Sequence, residues 1–411
     1  MRRDETFWQA LVLFLVFLST VGVYAVLGWL WVQLRQGEPA TDSVDLPHPG
    51  HVVQIVEPLD GAVLQQVASI AVRSALVEPS FVRAEFQVDE RAVAVEVNPD
   101  PHAAPWVVQW VWEGASEGSH VLAVQATTSD GEVERSLPIT VTVVPSGKLV
   151  FSSNREGAYG IYAMQTDGGS LERLTEGPRD AHQPAPRKDG ALAFVAETAT
   201  GQAVIREVDN HEERGTDLFA GVDPIWAPEG LSLAFAANVG GASEVFVAEA
   251  GDGTAAQVTG EEVYAGQPTW SPDGRSLAYV AERDGNWDIW VVALDRGEPQ
   301  RLTADPAMDW APAWSPNGER LAFVSNRGGS HQIYAMRADG TDVRLLSDFP
   351  HGAESPSWSH DGSWLALVAY TGEGSGINAR EIYLMRSDGQ YPVRLTYDSF
   401  DGAEVRWAWV P

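Results

Sequence analysis

A serine phrase is the first candidate for chemistry in this chain of 411 residues. Residues 114–118 read Gly-Ala-Ser-Glu-Gly, which matches the G-x-S-x-G pattern of hydrolases with a nucleophilic serine. In those enzymes the serine lies on a sharp turn between a strand and a helix. Here the phrase joins two predicted strands, so the context that would activate Ser116 is missing. We expect no acyl-transfer chemistry at this serine.

Metal and phosphate chemistry have no better support in the sequence. The nine histidines are scattered, no two have the spacing of a helical zinc site, and the chain has no cysteine. No glycine-rich loop follows a strand and opens a helix, as a phosphate-binding loop requires. The sequence therefore predicts no resident cofactor and a protein that is not an enzyme.

The charge of the chain excludes one class of partner. The formal net charge is −30, and the only lysines are Lys148 and Lys188. Nucleic-acid binding needs a basic surface, so we expect no nucleic acid as a partner. The acidic surface is typical of a well-solvated exported protein, and it could also favour a basic partner or divalent cations.

A tryptophan repeat reveals the elements that must position any site. Trp226, Trp270, Trp314 and Trp358 recur every 44 residues, each followed by a turn phrase such as Trp314-Ser-Pro-Asn-Gly318. After that turn the chain reads as three short strands, Arg320–Val324, Gln332–Met336 and Val343–Leu346. Four strands in a repeat of this length predict one propeller blade. Because the tryptophans recur with the blade, we interpret them as packing residues.

The repeat predicts six blades in a closed ring. Four units open at the tryptophans, and a weaker unit opens near Pro186. A further unit at 148–175 lacks its first strand, whereas Arg406–Val410 is a first strand with no blade after it. We therefore expect the C-terminal strand to pair beside Lys148–Ser152 and close the first blade. Closure also removes exposed strand edges.

These phrases resemble the WD-like repeat of the TolB-type six-bladed β-propeller. The resemblance rests on Trp270-Ser-Pro-Asp-Gly274, Gln332-Ile-Tyr334 and Arg301-Leu-Thr303, and it covers roughly residues 146–411. It implies a propeller that binds protein partners in the cell envelope. Similar blades also occur in the non-catalytic propeller of prolyl oligopeptidases, so the resemblance is specific for the fold rather than for the function.

The propeller predicts a candidate site at one mouth of its channel. Loops from strand four to the next strand one, and from strand two to strand three, open on this face and carry carboxylates and aromatic side chains. The insertion Thr371–Arg380 lies there too. A ring of carboxylates could hold a divalent cation; the alternative is a hydrated mouth without a ligand. The residues that we predict for partner binding are Tyr159, His182, Asp223, Trp287, Asp309, Trp310, His331, Glu354 and Glu404.

The N-terminal segment predicts a membrane anchor. Residues 7–34 are almost wholly apolar, and Ala10–Trp31 is long enough to cross a hydrocarbon core of roughly 30 Å as a helix. The run is longer than a signal-peptide core and has no small-residue cleavage phrase. Arg2 and Arg3 place residues 1–6 in the cytoplasm by the positive-inside rule. We expect a single-pass protein of the cytoplasmic or inner membrane whose C-terminal domains are extracytoplasmic.

A second β domain is predicted between the anchor and the propeller. Residues 35–50 read as a linker. Residues 51–145 contain seven predicted strands, Val52–Val56, Ser69–Ala75, Val82–Val88, Ala92–Val97, Trp106–Trp112, His120–Ala126 and Pro138–Val144. This pattern favours a β-sandwich. The phrases Glu57-Pro-Leu-Asp-Gly61 and Gly118–Ala126 resemble bacterial immunoglobulin-like domains, which implies a spacer or adhesive module.

The predicted fold is therefore all-β: a six-bladed β-propeller and an immunoglobulin-like β-sandwich behind one N-terminal transmembrane helix. The favoured function is a membrane-anchored scaffold that uses the propeller to bind a protein partner of unknown identity in the cell envelope. Two alternatives stay open at this point. One is a propeller hydrolase or lyase acting at the acidic channel mouth, and the other is a cell-wall glycan binder.

Overall fold

The computed structural model describes residues 53–66, 69–76, 81–100, 106–175, 180–208, 215–260, 264–295, 297–372, 379–397 and 402–408. These residues form strands, turns and loops and contain no helix. Accordingly, none of the described segments is a helix that could span a bilayer. The predicted anchor at 7–34 and linker at 35–50 lie outside the described residues, as do residues 373–378 of the insertion.

The strands that precede the propeller form two sheets. They are β1 (Val53–Glu57), β2 (Val63–Gln66), β3 (Ser69–Leu76), β4 (Phe81–Val88), β5 (Arg91–Val97), β6 (Trp106–Glu113), β7 (Gly118–Thr128), β8 (Val133–Arg135) and β9 (Ile139–Pro145). One sheet has the order β1-β3-β6, and the other has the order β2-β9-β7-β4-β5 with β8 beside β7. All seven predicted strands are present within two residues of their predicted ends. Alternating burial along β4 and β7 turns one face of the second sheet inward.

The two sheets share one hydrophobic core. Val72 and Trp112 from the first sheet contact the cluster that holds Phe86, Leu122 and Val141 from the second. Burial of these large apolar side chains is the main source of stability in such a unit.

The first three blades each have four antiparallel strands. The first blade contains β33 (Gly402–Ala408), β10 (Lys148–Glu156), β11 (Ala158–Gln165) and β12 (Glu172–Arg173). The second contains β13 (Ala181–Pro186), β14 (Leu192–Glu197), β15 (Ala203–Val208) and β16 (Thr216–Ala220). The third contains β17 (Val222–Trp226), β18 (Ser232–Val239), β19 (Ala242–Glu249) and β20 (Ala255–Gln257).

The remaining three blades repeat this order. The fourth contains β21 (Tyr264–Trp270), β22 (Ser276–Arg283), β23 (Asn286–Ala293) and β24 (Gln300–Arg301). The fifth contains β25 (Asp309–Trp314), β26 (Arg320–Ser325), β27 (Gln332–Arg337) and β28 (Arg344–Leu345). The sixth contains β29 (Ala353–Trp358), β30 (Trp364–Tyr370), β31 (Arg380–Arg386) and β32 (Val393–Arg394).

The C-terminal strand closes the first blade, as the sequence predicts. β33 pairs antiparallel with β10, with Lys148 opposite Ala408 and Ser153 opposite Gly402. Val405 and Trp407 are buried in the cluster that joins the first and sixth blades. The first blade is therefore completed by a strand from the far end of the domain.

The recurring tryptophans pack between blades, which confirms their interpretation as structural residues. Trp270 donates its indole N–H to Ile225 O of the preceding blade at 3.1 Å, and Trp358 donates to Ala313 O at 3.0 Å. The Arg-Leu-Thr phrase is structural as well. The Thr303 hydroxyl accepts a bond from the Ile289 N–H at 3.0 Å.

The junction between the two-sheet unit and the propeller is packed. Val63 and Val144 belong to the propeller cluster that contains Trp364. The indole N–H of Trp364 donates to Glu117 Oε2 at 2.7 Å, and the Gln65 amide donates to Gly147 O at 3.2 Å. These contacts fix the orientation of the two parts within residues 53–408.

Candidate functional site

The first strands of the six blades line a central channel cavity of about 420 Å³. Four of the nine predicted site residues face it: Asp223, Trp310, Glu354 and Glu404. Each blade contributes a residue just before the middle of its first strand, where a β-bulge interrupts the pairing. The bulge turns that residue towards the channel rather than into the sheet.

In every blade, the backbone of the channel-facing bulge residue adopts a left-handed conformation. The six residues, with φ between 50° and 55°, are Gln183, Asp223, Gln267, Ala311, Ser355 and Glu404. A positive φ is uncommon for residues other than glycine. Six equivalent occurrences show that the propeller itself imposes this conformation, and we call these residues the channel ring.

Two carboxylates of the channel ring are held by donors from neighbouring strands. Glu404 Oε2 accepts bonds from the Ser152 hydroxyl and the Gln183 N–H, both at 2.8 Å. Asp223 accepts bonds from the Gln183 amide at 2.5 Å and the Gln267 N–H at 3.1 Å. Burial raises the pKa of Asp223 above its usual range, and the nearby charge of Glu404 raises it further.

A charged network links the sixth, first and second blades at the mouth. Arg380 forms a salt bridge with Glu354 at 3.2 Å and donates to the Tyr159 hydroxyl at 3.3 Å. The Tyr159 ring lies 4.5 Å from the ring of His182. The structure therefore brings Glu354, Tyr159 and His182 together through an arginine that the prediction named only as the end of the insertion.

A second group of aromatic side chains lies between the fifth and sixth blades. The ring centroid of His331 is 6.2 Å from that of Trp310 and 5.2 Å from that of Tyr370. His331 Nε2 is buried and has no hydrogen-bond partner among the described residues. Trp310 faces the channel, whereas His331 lies behind it.

Trp287 and Asp309 do not line the channel cavity. Trp287 stacks on Tyr264 with a centroid distance of 5.0 Å, away from the cavity lining. Asp309 has 0% exposure, and both of its carboxylate oxygens accept bonds from Arg327, at 2.8 and 2.9 Å. Asp309 therefore stabilises the fifth blade instead of facing a partner.

The described residues provide no metal site. They contain no group of three or more histidine, aspartate or glutamate side chains placed to hold a metal ion. The two ring carboxylates are already engaged by hydrogen-bond donors. The alternative of a divalent cation at the mouth gains no support from this arrangement.

Ser116 of the serine phrase lies near His120, which in turn contacts Asp89. The hydrogen on the histidine ring is nevertheless placed so that the serine cannot be activated as a nucleophile. His120 Nδ1 lies 2.8 Å from Asp89 Oδ2, and Nε2 lies 3.3 Å from Ser116 Oγ. The same Nε2 is only 2.8 Å from the Ser116 carbonyl oxygen, which can only accept. Nε2 must therefore carry its hydrogen, and it cannot take the proton of the serine hydroxyl as a general base.

Arg406 also lines the channel, although the sequence pattern predicts it only as part of the C-terminal strand and not as a site residue. Five first strands read X-Pro followed by an uncharged residue, as in Ser355-Pro356-Ser357. The first blade instead reads Glu404-Val405-Arg406. Alignment of the first strands alone would have shown this departure. Burial lowers the pKa of the Arg406 guanidinium, and the charges of Glu404 and Asp223 oppose that effect.

Comparisons with known proteins agree with this architecture. The family described as TolB beta propeller domain matches residues 219–388. TolB from Acinetobacter baumannii is similar in structure, with a TM-score of 0.58 and 18% identity over 72% of this chain and 81% of that chain. A putative TolB from Agrobacterium tumefaciens has a TM-score of 0.51 and 22% identity over 64% of this chain and 99% of that chain.

These matches support a TolB-type propeller. Hydrazine synthase from Kuenenia stuttgartiensis is also similar in fold, with a TM-score of 0.53 and 14% identity over 65% of this chain and 47% of that chain. At such identities the likeness concerns the fold alone. No curated protein sequence matches the chain.

Proposed function

We propose that this protein is a membrane-anchored scaffold that binds a protein partner in the cell envelope through the channel-mouth face of its TolB-type propeller. Residues 7–34 form the anchor, residues 1–6 lie in the cytoplasm, and residues 51–145 form an immunoglobulin-like spacer. The propeller at 146–411 is extracytoplasmic and acts as the binding platform rather than as an enzyme.

The observation that carries the proposal is that polar and charged side chains that differ from blade to blade concentrate on one face of the propeller. The opposite face repeats the same turn, with Ser271, Ser315 and Ser359 each bonded to the side chain two residues later. The channel-mouth face instead joins Arg380, Glu354 and the Tyr159 hydroxyl across blades. Residues that break a structural repeat without serving its packing are where binding is expected.

The composition of this face suits a polar protein interface. Trp310 in the channel and Tyr159 beside Arg380 supply aromatic contact area, and Arg380 supplies a cation that is partly neutralised by Glu354. Aromatic residues and arginine are enriched in protein interfaces. An acidic chain with a net charge of −30 would also accelerate the approach of a basic partner.

Variants of this face test the proposal. The Trp310→Ala, Glu354→Ala double variant should weaken capture of the partner after crosslinking in intact membranes, while the melting temperature changes little. Glu319→Ala is the matched control, because Glu319 is an exposed carboxylate on the opposite face. Capture that survives the double variant but fails in Glu319→Ala would show that the wrong face has been chosen.

The anchor has an independent test. Protease added outside spheroplasts should degrade the propeller if the N-terminus is cytoplasmic and the remaining chain is exported. Complete protection of residues 50–411 would overturn this topology and leave the binding face to be tested on its own.

A further inference from the structure

Side chains of the channel ring connect successive blades by one recurring hydrogen bond. Glu404 accepts from the Gln183 N–H at 2.8 Å, and Gln183 accepts from the Asp223 N–H at 2.8 Å. Asp223 accepts from the Gln267 N–H at 3.1 Å, and Gln267 accepts from the Ala311 N–H at 2.8 Å. At these four interfaces, the side-chain oxygen of one blade satisfies the channel-facing N–H of the next.

The ring is broken at the two remaining interfaces. Ala311 has no side-chain oxygen to offer the Ser355 N–H. The short Ser355 side chain makes no bond to the Glu404 N–H within the described residues. Because Ser355 and Glu404 share the left-handed backbone of the other four, their N–H groups point towards the channel in the same way. Two neighbouring donors therefore face the cavity without the acceptor that the other blades supply.

Arg406 adds a positive charge beside this gap. It lines the same cavity two residues after Glu404. Its one side-chain hydrogen bond among the described residues runs from Nη1 to the Val405 carbonyl at 3.0 Å. No described carboxylate lies within salt-bridge distance of its guanidinium, and arginine remains charged in proteins. Glu404 and Asp223 act on the Arg406 charge without a direct salt bridge, so the half-buried guanidinium can still donate to an acceptor in the cavity.

We propose that this gap is a carboxylate-binding site. One carboxylate oxygen would accept the Ser355 and Glu404 N–H groups in place of the missing side-chain oxygen, and the other would accept from Arg406. Two backbone donors and one guanidinium form the charge-assisted donor set that carboxylates favour.

The acidic neighbours do not compete for these donors. Glu404 Oε2 and both oxygens of Asp223 already accept bonds on the side of the second to fourth blades. Glu354 is paired with Arg380. These oxygens therefore leave the Ser355 and Glu404 N–H groups free of a competing side-chain acceptor, although the charges of Glu404 and Asp223 also act on Arg406.

The cavity of about 420 Å³ can receive a small carboxylate or the end of a peptide. The site does not depend on the proposed partner, because a free carboxylate and the carboxylate of a bound chain make the same contacts. Carboxylate binding to the purified protein tests the site, and capture of a partner in membranes tests the proposed function, so either result can be negative without the other.

A ligand-observed NMR titration of the purified full-length chain with succinate tests the site. We expect saturable binding, with acetamide as an uncharged probe that fails to compete. Arg406→Gln should weaken succinate binding about tenfold, the loss expected for one charge-assisted contact. Absence of binding, or equal binding of acetamide, would overturn the proposal.

A variant that supplies the missing acceptor of the channel ring gives the most specific test. Ala311→Gln places an amide oxygen where Gln267 and Gln183 have theirs, so it should satisfy the Ser355 N–H and weaken succinate binding about tenfold while the protein stays folded. Ser355→Gln does the same for the Glu404 N–H if the first variant folds poorly. Gln183→Ala is the control: it frees the Asp223 N–H, which does not adjoin the gap, and should leave succinate affinity unchanged. Unaltered affinity in both filled variants would contradict the proposal.

A pair of peptides identifies the source of the carboxylate. A tripeptide of alanine with a free C-terminus and the same peptide with an amidated C-terminus differ only in the proposed group. Competition by the free peptide at concentrations near those of succinate assigns the site to chain termini as well as small molecules. Competition by succinate alone assigns it to small molecules, and competition by the amidated peptide contradicts the carboxylate assignment.

Discussion

The channel ring shows how one backbone position acquires different roles in different blades. All six residues share a left-handed conformation and a β-bulge. Gln183 and Gln267 connect neighbouring blades as neutral acceptors, whereas Asp223 and Glu404 make the same connection and also bring charge into the channel. Asp223 keeps part of its surface open to the channel although it lies deep within the molecule. Its carboxyl group is therefore the ring member whose protonation depends most on the fold.

The raised pKa of Asp223 predicts a pH dependence of stability. Burial makes the folded state hold the proton over a range in which the unfolded chain, with a carboxyl pKa near 3.8, has lost it. The contribution of this group to stability must therefore fall as the pH rises through that range. Asp223→Asn removes the titration, so its melting temperature should improve relative to the parent protein from about pH 4 upward.

Thermal unfolding at a series of pH values measures this effect. Asp348→Asn, which alters an exposed carboxylate of the fifth blade, serves as the control and should follow the parent curve. A difference between Asp223→Asn and the parent that stays constant with pH, or changes in the opposite direction, would contradict the assignment.

At the scale of strands and blades, local sequence patterns are sufficient to predict most elements. The turn after Trp314 forms as predicted, with the Gly318 N–H bonded to Ser315 O at 2.9 Å and φ of 72° at Gly318. The Asp339-Gly340 turn forms as well. These features depend on residues within a few positions of each other, so the sequence contains all the information that they need.

Contacts between residues that are far apart in the chain could not be predicted from the sequence. The repeat pattern predicts Asp309 at an accessible mouth, because it assigns this residue to a loop before a first strand. The structure pairs it with Arg327, which lies eighteen residues later on a different hairpin. The sequence predicts Asp223 and Glu404 as site residues but not the bonds of the channel ring, because three of these bonds join residues 40 or 44 positions apart and the fourth joins residues 221 positions apart.

The buried pair in the fifth blade predicts a strong loss of stability on removal of its acidic partner. Asp309→Ala leaves Arg327 without its bidentate carboxylate. Breaking a buried pair in this way costs about 3–5 kcal/mol, and the lower end applies because Arg327 retains some exposure. Chemical denaturation measures the loss. In a double-mutant cycle with Arg327→Ala, the two losses should be far from additive; simple additivity would show that the pair is not coupled.

At the scale of the whole molecule, ring closure and the packed junction combine distant parts of the chain. β33 completes the first blade, and Trp364 of the sixth blade bonds to Glu117 of the two-sheet unit. The third, fourth and fifth blades have Ser232, Ser276 and Arg320 at the position of Trp364, so a tryptophan at this position is not part of the repeat. A rigid connection of this kind would hold the channel-mouth face at a fixed orientation relative to the preceding sheets.

Removal of residues 402–411 should open the ring. The deletion exposes the edge of β10 and removes Val405 and Trp407 from the cluster between the first and sixth blades. We expect a clearly lower melting temperature and a broader calorimetric transition, because the loss affects two blades at once. A synthetic peptide of residues 402–411 should raise the melting temperature of the truncated protein. An unchanged transition would show that closure contributes little to stability.

Position-specific photo-crosslinking in intact cells tests the central proposal most directly. A photoreactive residue in place of His182 or Trp310 lies on the channel-mouth face, and one in place of Glu319 lies on the opposite face. If the propeller is a binding platform, the two mouth positions should give the same discrete crosslinked partner and the Glu319 position should give none. A partner crosslinked from Glu319 and from neither mouth position would contradict the proposed binding face.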